Sequence, residues 1–166
     1  MVPAYLPNPT AALCGGGTPV DFGKTWTDNR RILGDGKTWR GLFFGIFAGI
    51  AVGFLEIGLS GTWHLDYLPT LTPSPVILLA AGALIGDMCK SFVKRRIGKN
   101  RGSQWPVADQ YDLVAGAFVM LAVFDPTWLM ANISLPVLLV ILILTPILHR
   151  AVNILGYRIK VKEVPW

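Results

Sequence analysis

The sequence predicts an all-α integral membrane protein of about five transmembrane helices, with two cytoplasmic loops forming an active site. Three observations carry this. Of 166 residues, 52% are hydrophobic and 15% charged, where a soluble domain carries about 25% charged residues. The mean hydropathy is +0.51, and the apolar segments recur too far along the chain to be one cleaved leader. All fifteen Lys and Arg fall into three clusters, each at the ends of apolar segments.

Residues 2–13 come first. They are apolar but short, and carry Pro3, Pro7 and Pro9. They can form a short span or a re-entrant or surface segment; read as a span, the favoured reading, they give the fifth helix and put the extreme N-terminus outside. Five cations follow: Lys24, Arg30, Arg31, Lys37 and Arg40. Residues 41–59 form the first clear span and 76–88 the second, which can continue as helix to Arg96. Six cations (Lys90, Lys94, Arg95, Arg96, Lys99, Arg101) lead to a third helix that starts at Pro106, a favoured first-turn residue. It reaches Phe124 after about 28 Å at 1.5 Å per residue. Residues 135–148 form the last span, followed by Arg150, Arg158, Lys160 and Lys162. The loops 60–74 and 125–134 contain no Lys or Arg. The positive-inside rule therefore puts the cationic loops and the C-terminus in the cytoplasm of a multi-pass cell-membrane protein. Aromatic residues agree: Trp26, Trp39 and Trp105 mark the basic side, and Trp63, Tyr67 and Trp128 the other. The whole chain, 1–166, reads as one transmembrane domain.

The net charge of +5 is explained by this topology, and no nucleic-acid partner is expected. Cys14 and Cys89 suggest neither a disulfide framework nor a metal site.

Three carboxylates stand out. Asp87 lies inside the end of the second span, with Lys90 and Ser91 on its face at i+3 and i+4. Ionisable groups within membrane helices are costly and functional by default; the alternative is an Asp–Lys pair that merely neutralises a buried charge. Asp109 and Asp112 open the third helix on one face. The alternative there is a pair of helix-start acids that complement the dipole. The intervening loop brings all three to one cytoplasmic neighbourhood. Converging carboxylates need a cation between them, and Mg²⁺ suits such ligands and bridges phosphates. The first loop adds Gly15-Gly16-Gly17-Thr18-Pro19-Val20-Asp21-Phe22-Gly23-Lys24 and a second Gly- and Asp-rich stretch to Gly41. Such a loop can wrap anionic oxygens with backbone N–H groups and cations, although topology alone accounts for its basicity. Gly36-Lys37-Thr38 is not a P-loop, because Arg31 stands at the first glycine and no strand precedes it. Glu56 lies about 22 Å along its helix from Gly41, near the opposite surface. His64 and His149 lack metal-ligand spacing. Ser91 has no His/Asp partner.

Gly86-Asp87, Ser91, Lys94-Arg95-Arg96, Gly98-Lys99 and Pro106…Asp109-Gln110-x-Asp112 resemble the signature of membrane phosphatidate cytidylyltransferases. Lys37-Thr38-Trp39-x-Gly41 resembles that family's Lys-Thr-x-x-Gly element. The two Gly-rich stretches of the first loop and Trp105-Pro106-x-x-Asp109-Gln110-x-Asp112 are closer still to the CDP-archaeol synthase branch. The longer bacterial-type enzymes carry a Pro-Gly-His-Gly-Gly run before the paired Asp; here Pro106-Val107-Ala108 stands instead.

The resemblance implies transfer of CMP from CTP to a prenylated glycerol phosphate lipid, 2,3-di-O-geranylgeranylglycerol 1-phosphate. It implies Mg²⁺ held by the catalytic carboxylates Asp87, Asp109 and Asp112. Nucleotide and phosphate contacts then come from Lys24, Arg30, Arg31, Lys37, Thr38, Arg40, Lys90, Arg95, Arg96 and Arg101. The rival enzyme class is a CDP-alcohol phosphotransferase, but Asp35-Gly36 lacks the Ala-Arg pair its motif requires. A small transporter subunit would need polar groups through the membrane depth, and the spans offer little beyond Glu56.

Overall fold

A computed structural model describes the chain except at residues 64–68, 101, 162, 163 and 166, and except the side chains of 61–63. Arg101, His64, Tyr67 and the Trp63 side chain therefore lie outside the described residues. Among the described residues seven helices follow one another: α1 (Val2–Tyr5), α2 (Pro7–Leu13), α3 (Trp39–Trp63), α4 (Pro73–Arg96), α5 (Pro106–Phe124), α6 (Pro126–Asn132) and α7 (Leu135–Arg158). α3, α4, α5 and α7 are long and apolar enough to cross a membrane. At 24 residues, α4 and α7 each extend about 36 Å. Both run well past their apolar segments, because charged ends can sit at the interface while the helix continues.

The fifth helical position belongs to α1–α2, which is too short to cross. It lies antiparallel to the loop-side half of α3. A Cβ at Gly41, Gly45 or Gly49 would stand 2.6–2.8 Å from the carbonyl oxygens of Ala11, Pro7 and Pro3 in turn. A glycine every fourth residue makes one flat face on α3, and it lets backbones touch as small residues do in membrane bundles. Pro3 packs at Gly49 and Gly53, and the Met1 amino group lies within electrostatic reach of Glu56.

The same device joins α4 to α5. Gly82 meets Gly116 and Ala117, and Gly86 meets the Asp112 carbonyl. Around this crossing, Leu79, Ala83, Leu113, Val114, Ala117 and Leu121 form the buried core with Ala4 and Ile141. The crossing sets Asp87 beside Asp112.

α7 is held by polar handles. Pro146 interrupts it, so the Leu142 carbonyl loses its helical donor. The Tyr111 hydroxyl donates to that carbonyl at 2.8 Å, which satisfies a group that lipid cannot. Tyr111→Phe is expected to cost about 1 kcal/mol, seen as a melting temperature lower by roughly 2–4 °C. An unchanged melt would show that water reaches the carbonyl. At the surface away from the basic loops, Asp125 accepts from the Trp128 N–H at 3.2 Å and from the Ser74 hydroxyl at 2.8 Å. It caps α6 and pins it to the start of α4.

Candidate functional site

The site is built where the loops 14–38 and 97–105 cover the ends of α3, α4 and α5. The first loop folds around one carboxylate. Asp21 is buried, and its Oδ1 accepts from the Gly23 N–H (3.1 Å) and the Arg31 guanidinium (2.8 Å). Its Oδ2 accepts from the N–H groups of Leu33 (2.9 Å) and Gly34 (3.0 Å) and from Arg31 Nε (3.3 Å). Gly34 has φ +97°, a conformation that glycine adopts freely.

Burial opposes ionisation of Asp21, but the Arg31 guanidinium and the three backbone N–H donors outweigh it and hold the carboxyl well below the usual carboxylate range. The unfolded value is about 3.9, so this stabilisation is complete above about pH 4 and is lost as pH falls towards the depressed folded value. Exchange protection of the Leu33 and Gly34 amides, corrected for intrinsic rate, should hold to about pH 4 and decline below it. In Asp21→Asn the protection should be low at every pH. Equal protection in the variant would remove Asp21 from this role.

The folded loop is fastened to the end of α4. Arg30 Nη1 donates to the Arg96 carbonyl at 2.9 Å, occupying an end-of-helix acceptor that lacks a partner within the helix. Arg96 bonds Asp28 at 2.7 Å and the Arg31 carbonyl at 2.6 Å, and its guanidinium lies 5.0 Å over the Phe92 ring. Arg95 Nε reaches the Leu33 carbonyl. Thr38 caps α3 by accepting from the Gly41 N–H at 3.1 Å, and this aims the preceding Lys37 at Asp87.

The three carboxylates converge, as the sequence predicts. Lys90 Nζ stands 3.1 Å from Asp87 Oδ1, 3.3 Å from Asp109 Oδ1 and 2.5 Å from Asp112 Oδ2. Lys37 pairs with Asp87, and Lys94 with Asp109 at 2.5 Å. The Asp112 side chain is 3% exposed, against 13% for Asp87 and 17% for Asp109. Three acids and three lysines thus balance in charge. The oxygens are of the type that Mg²⁺ takes, and all three acids face one point. Spread around an ammonium, however, no three His, Cys, Asp or Glu side chains among the described residues stand close enough together to hold a metal. The donor set fits the ion; its present spacing fits Lys90.

Two spaces meet at this cluster. One is a cavity of about 230 Å³ between α2, α4 and α7, lined with Leu42, Leu84, Leu113 and Leu148 and bounded by Lys37, Asp87, Lys90 and Asp112. The other is an open cleft of about 1000 Å³ between the loops, bounded by Lys37, Asp87, Lys90 and Asp109. Of the expected phosphate ligands, Arg30, Arg31, Lys37, Thr38, Lys90 and Arg95 line the cleft, while Lys24, Arg40 and Arg96 do not. Arg31 is engaged by Asp21 and Asp35, and Arg96 by Asp28.

Four cleft residues are given no site role by the sequence. Lys94 and Lys99 are noted there in the basic cluster and in the resemblance, without a phosphate-binding role. His149 and Asn153 line both spaces, and the Asn153 amide stands 3.2 Å from the His149 ring nitrogens. Their i, i+4 spacing was the available signal, hidden because the apolar segment ends at residue 148.

The family described as CarS-like, CDP-archaeol synthase, matches residues 1–166. The chain belongs to the CDP-archaeol synthase family. The relative from Methanoregula boonei is 64% identical and that from Methanosphaerula palustris 58%, each over the whole of both chains. A solved structure of an intramembrane enzyme for archaeal membrane lipid biosynthesis is similar at 36% identity, with a TM-score of 0.69 over 98% of this chain and 90% of that one. The resemblance read from the two loops is thereby borne out over the full CDP-archaeol synthase length, as is the all-helical membrane fold. The protein is a CTP-dependent cytidylyltransferase of lipid synthesis.

Proposed function

We propose that the protein transfers CMP from CTP to 2,3-di-O-geranylgeranylglycerol 1-phosphate, on the cytoplasmic face of the membrane, at the seam between the two spaces. The observation that supports this most is the seam itself. One cluster of acids and lysines borders both a polar cleft, suited to a triphosphate, and an apolar cavity between helices, suited to a lipid stem. The positive-inside distribution supports the cytoplasmic side.

The acceptor needs no general base, because the second pKa of a phosphomonoester is about 6. An acceptor phosphate oxygen attacks the α-phosphorus of CTP. The bond from that phosphorus to the α–β bridging oxygen breaks, and pyrophosphate leaves with the electron pair. Asp87, Asp109 and Asp112 would hold Mg²⁺, which supplies neutralisation of the triphosphate and the leaving group. Lys37 and Lys90, at the seam, draw the two polyanions together. Lys94, Lys99 and Arg95 on the cleft wall take phosphate oxygens further out. The fastened loop keeps these cations in place before substrate arrives.

The test supplies CTP and the prenylated glycerol phosphate to the purified protein in detergent and follows pyrophosphate. Magnesium-dependent release is expected. No turnover with CTP, alongside turnover of a CDP-lipid with a free alcohol, would move the protein to the phosphotransferase class.

A further inference from the structure

The carboxylate cluster is arranged so that every acid has two kinds of partner. Asp87 gives Oδ1 to Lys90 and Oδ2 to Lys37. Asp112 gives Oδ2 to Lys90, while its Oδ1 accepts from the Leu113 N–H at 2.6 Å. Asp109 faces Lys90 with Oδ1, which also meets Lys94, and its Oδ2 accepts from the Trp105 N–H at 2.7 Å. Each acid is therefore held by a donor other than Lys90. Among the described residues, Lys90 alone touches all three.

We infer that the Lys90 ammonium is a resident counter-ion standing in the divalent-cation position, displaced into the cleft when the cation binds. This rests on the metal reading given above and adds to it an occupant and an order of events. Three carboxylate oxygens within 3.3 Å of one nitrogen leave no space for a second cation at the same point. Mg²⁺ draws oxygens to about 2.0–2.1 Å, so metal and ammonium exclude each other. The outer donors keep the acids oriented when Lys90 leaves, as partners behind metal ligands do. Lys90 has somewhere to go, since it lines both spaces and its ammonium rides on a flexible four-carbon stem. Once displaced, it faces the phosphates. Cation alone then binds weakly, because an ammonium must leave without a new partner. Nucleotide supplies that partner, so cation and nucleotide bind with positive coupling, each raising the affinity for the other by the same factor.

The test uses Mn²⁺ as a spectroscopic probe on the full chain in detergent, without nucleotide. Free Mn²⁺ is counted by electron paramagnetic resonance. Lys90→Met, which removes the ammonium but keeps the stem, is expected to bind Mn²⁺ at least about tenfold more tightly than the unaltered protein, because the triad keeps its acids and loses a competing charge. Lys90→Arg, which keeps the charge, should gain nothing. Equal or weaker binding by Lys90→Met overturns the inference while leaving the metal reading intact. No Mn²⁺ binding by either protein, even with CTP added, overturns both. Should Lys90→Met fail to fold, the unaltered protein serves. Mn²⁺ alone should speed amine-reactive labelling of Lys90 several-fold relative to exposed Lys24, and unchanged or slower labelling contradicts the displacement.

Discussion

Asp112→Asn is expected to lower turnover with CTP by at least about 10²-fold, equivalent to roughly 2.7 kcal/mol of transition-state stabilisation. Asp112 is the most buried member of the triad and makes its shortest contact to Lys90. Asparagine keeps the shape, and its amide oxygen can still accept from the Leu113 N–H that now bonds Oδ1. It removes the negative charge. Lys90 still has Asp87 and Asp109, so the ammonium is not stranded and the fold should survive. The discriminating readout is turnover set against thermal melting. A large loss of turnover with a melt within a few degrees places Asp112 in the chemistry. A protein that melts far lower yet turns over normally when folded would make Asp112 a structural acid.

Gly86→Ala is expected to damage the fold itself. A Cβ there lands on the Asp112 carbonyl oxygen and close to the Gly116 Cα, both backbone atoms. Neither can move without parting α4 from α5, so the added methyl cannot be absorbed by a rotamer change. A cost of about 3 kcal/mol is expected, or a melting temperature lower by roughly 6–12 °C. Turnover should fall as well, because the same crossing sets Asp87 beside Asp112. Gly58→Ala is the matched control: a Cβ at Gly58 meets nothing within 4 Å, and its melt should be unchanged. Equal melts for the two variants would show that the helices separate without penalty.

The sequence discloses the spans and the carboxylates because both obey local rules. Apolar runs mark the membrane, and an acid inside one is conspicuous. It discloses the start of α5 well, since Pro106 is a start signal that needs no tertiary partner. It also lets α4 continue to Arg96, where the helix does end, but it discloses the end of α7 less well. There the helix continues past the apolar segment to Arg158. Asn153 is buried there and lies against His149 one turn earlier on the same helix.

The loop cations show the same divide. Topology explains their number but not their work. Arg30 and Arg96 fasten the first loop to α4, and Arg31 answers Asp21. The contacts of Arg30 and Arg96 link residues some 65 positions apart, and no local pattern announces them. Asp21 was visible only as one member of a Gly-rich stretch. Its part in folding the loop emerges once five donors are seen around it. The short α1–α2 pair reads as a span on composition alone. The glycine face of α3 gives it a place that does not require crossing.

The most direct test of the account follows the phosphorus atoms. CTP labelled at the α-phosphate, and separately at the γ-phosphate, is supplied with the prenylated glycerol phosphate and Mg²⁺. Nucleotidyl transfer at the seam predicts that α-label enters the lipid and γ-label leaves as pyrophosphate, and that Asp112→Asn suppresses both. Label from the γ-phosphate in the lipid, or α-label confined to water-soluble products while CTP is consumed, would contradict it.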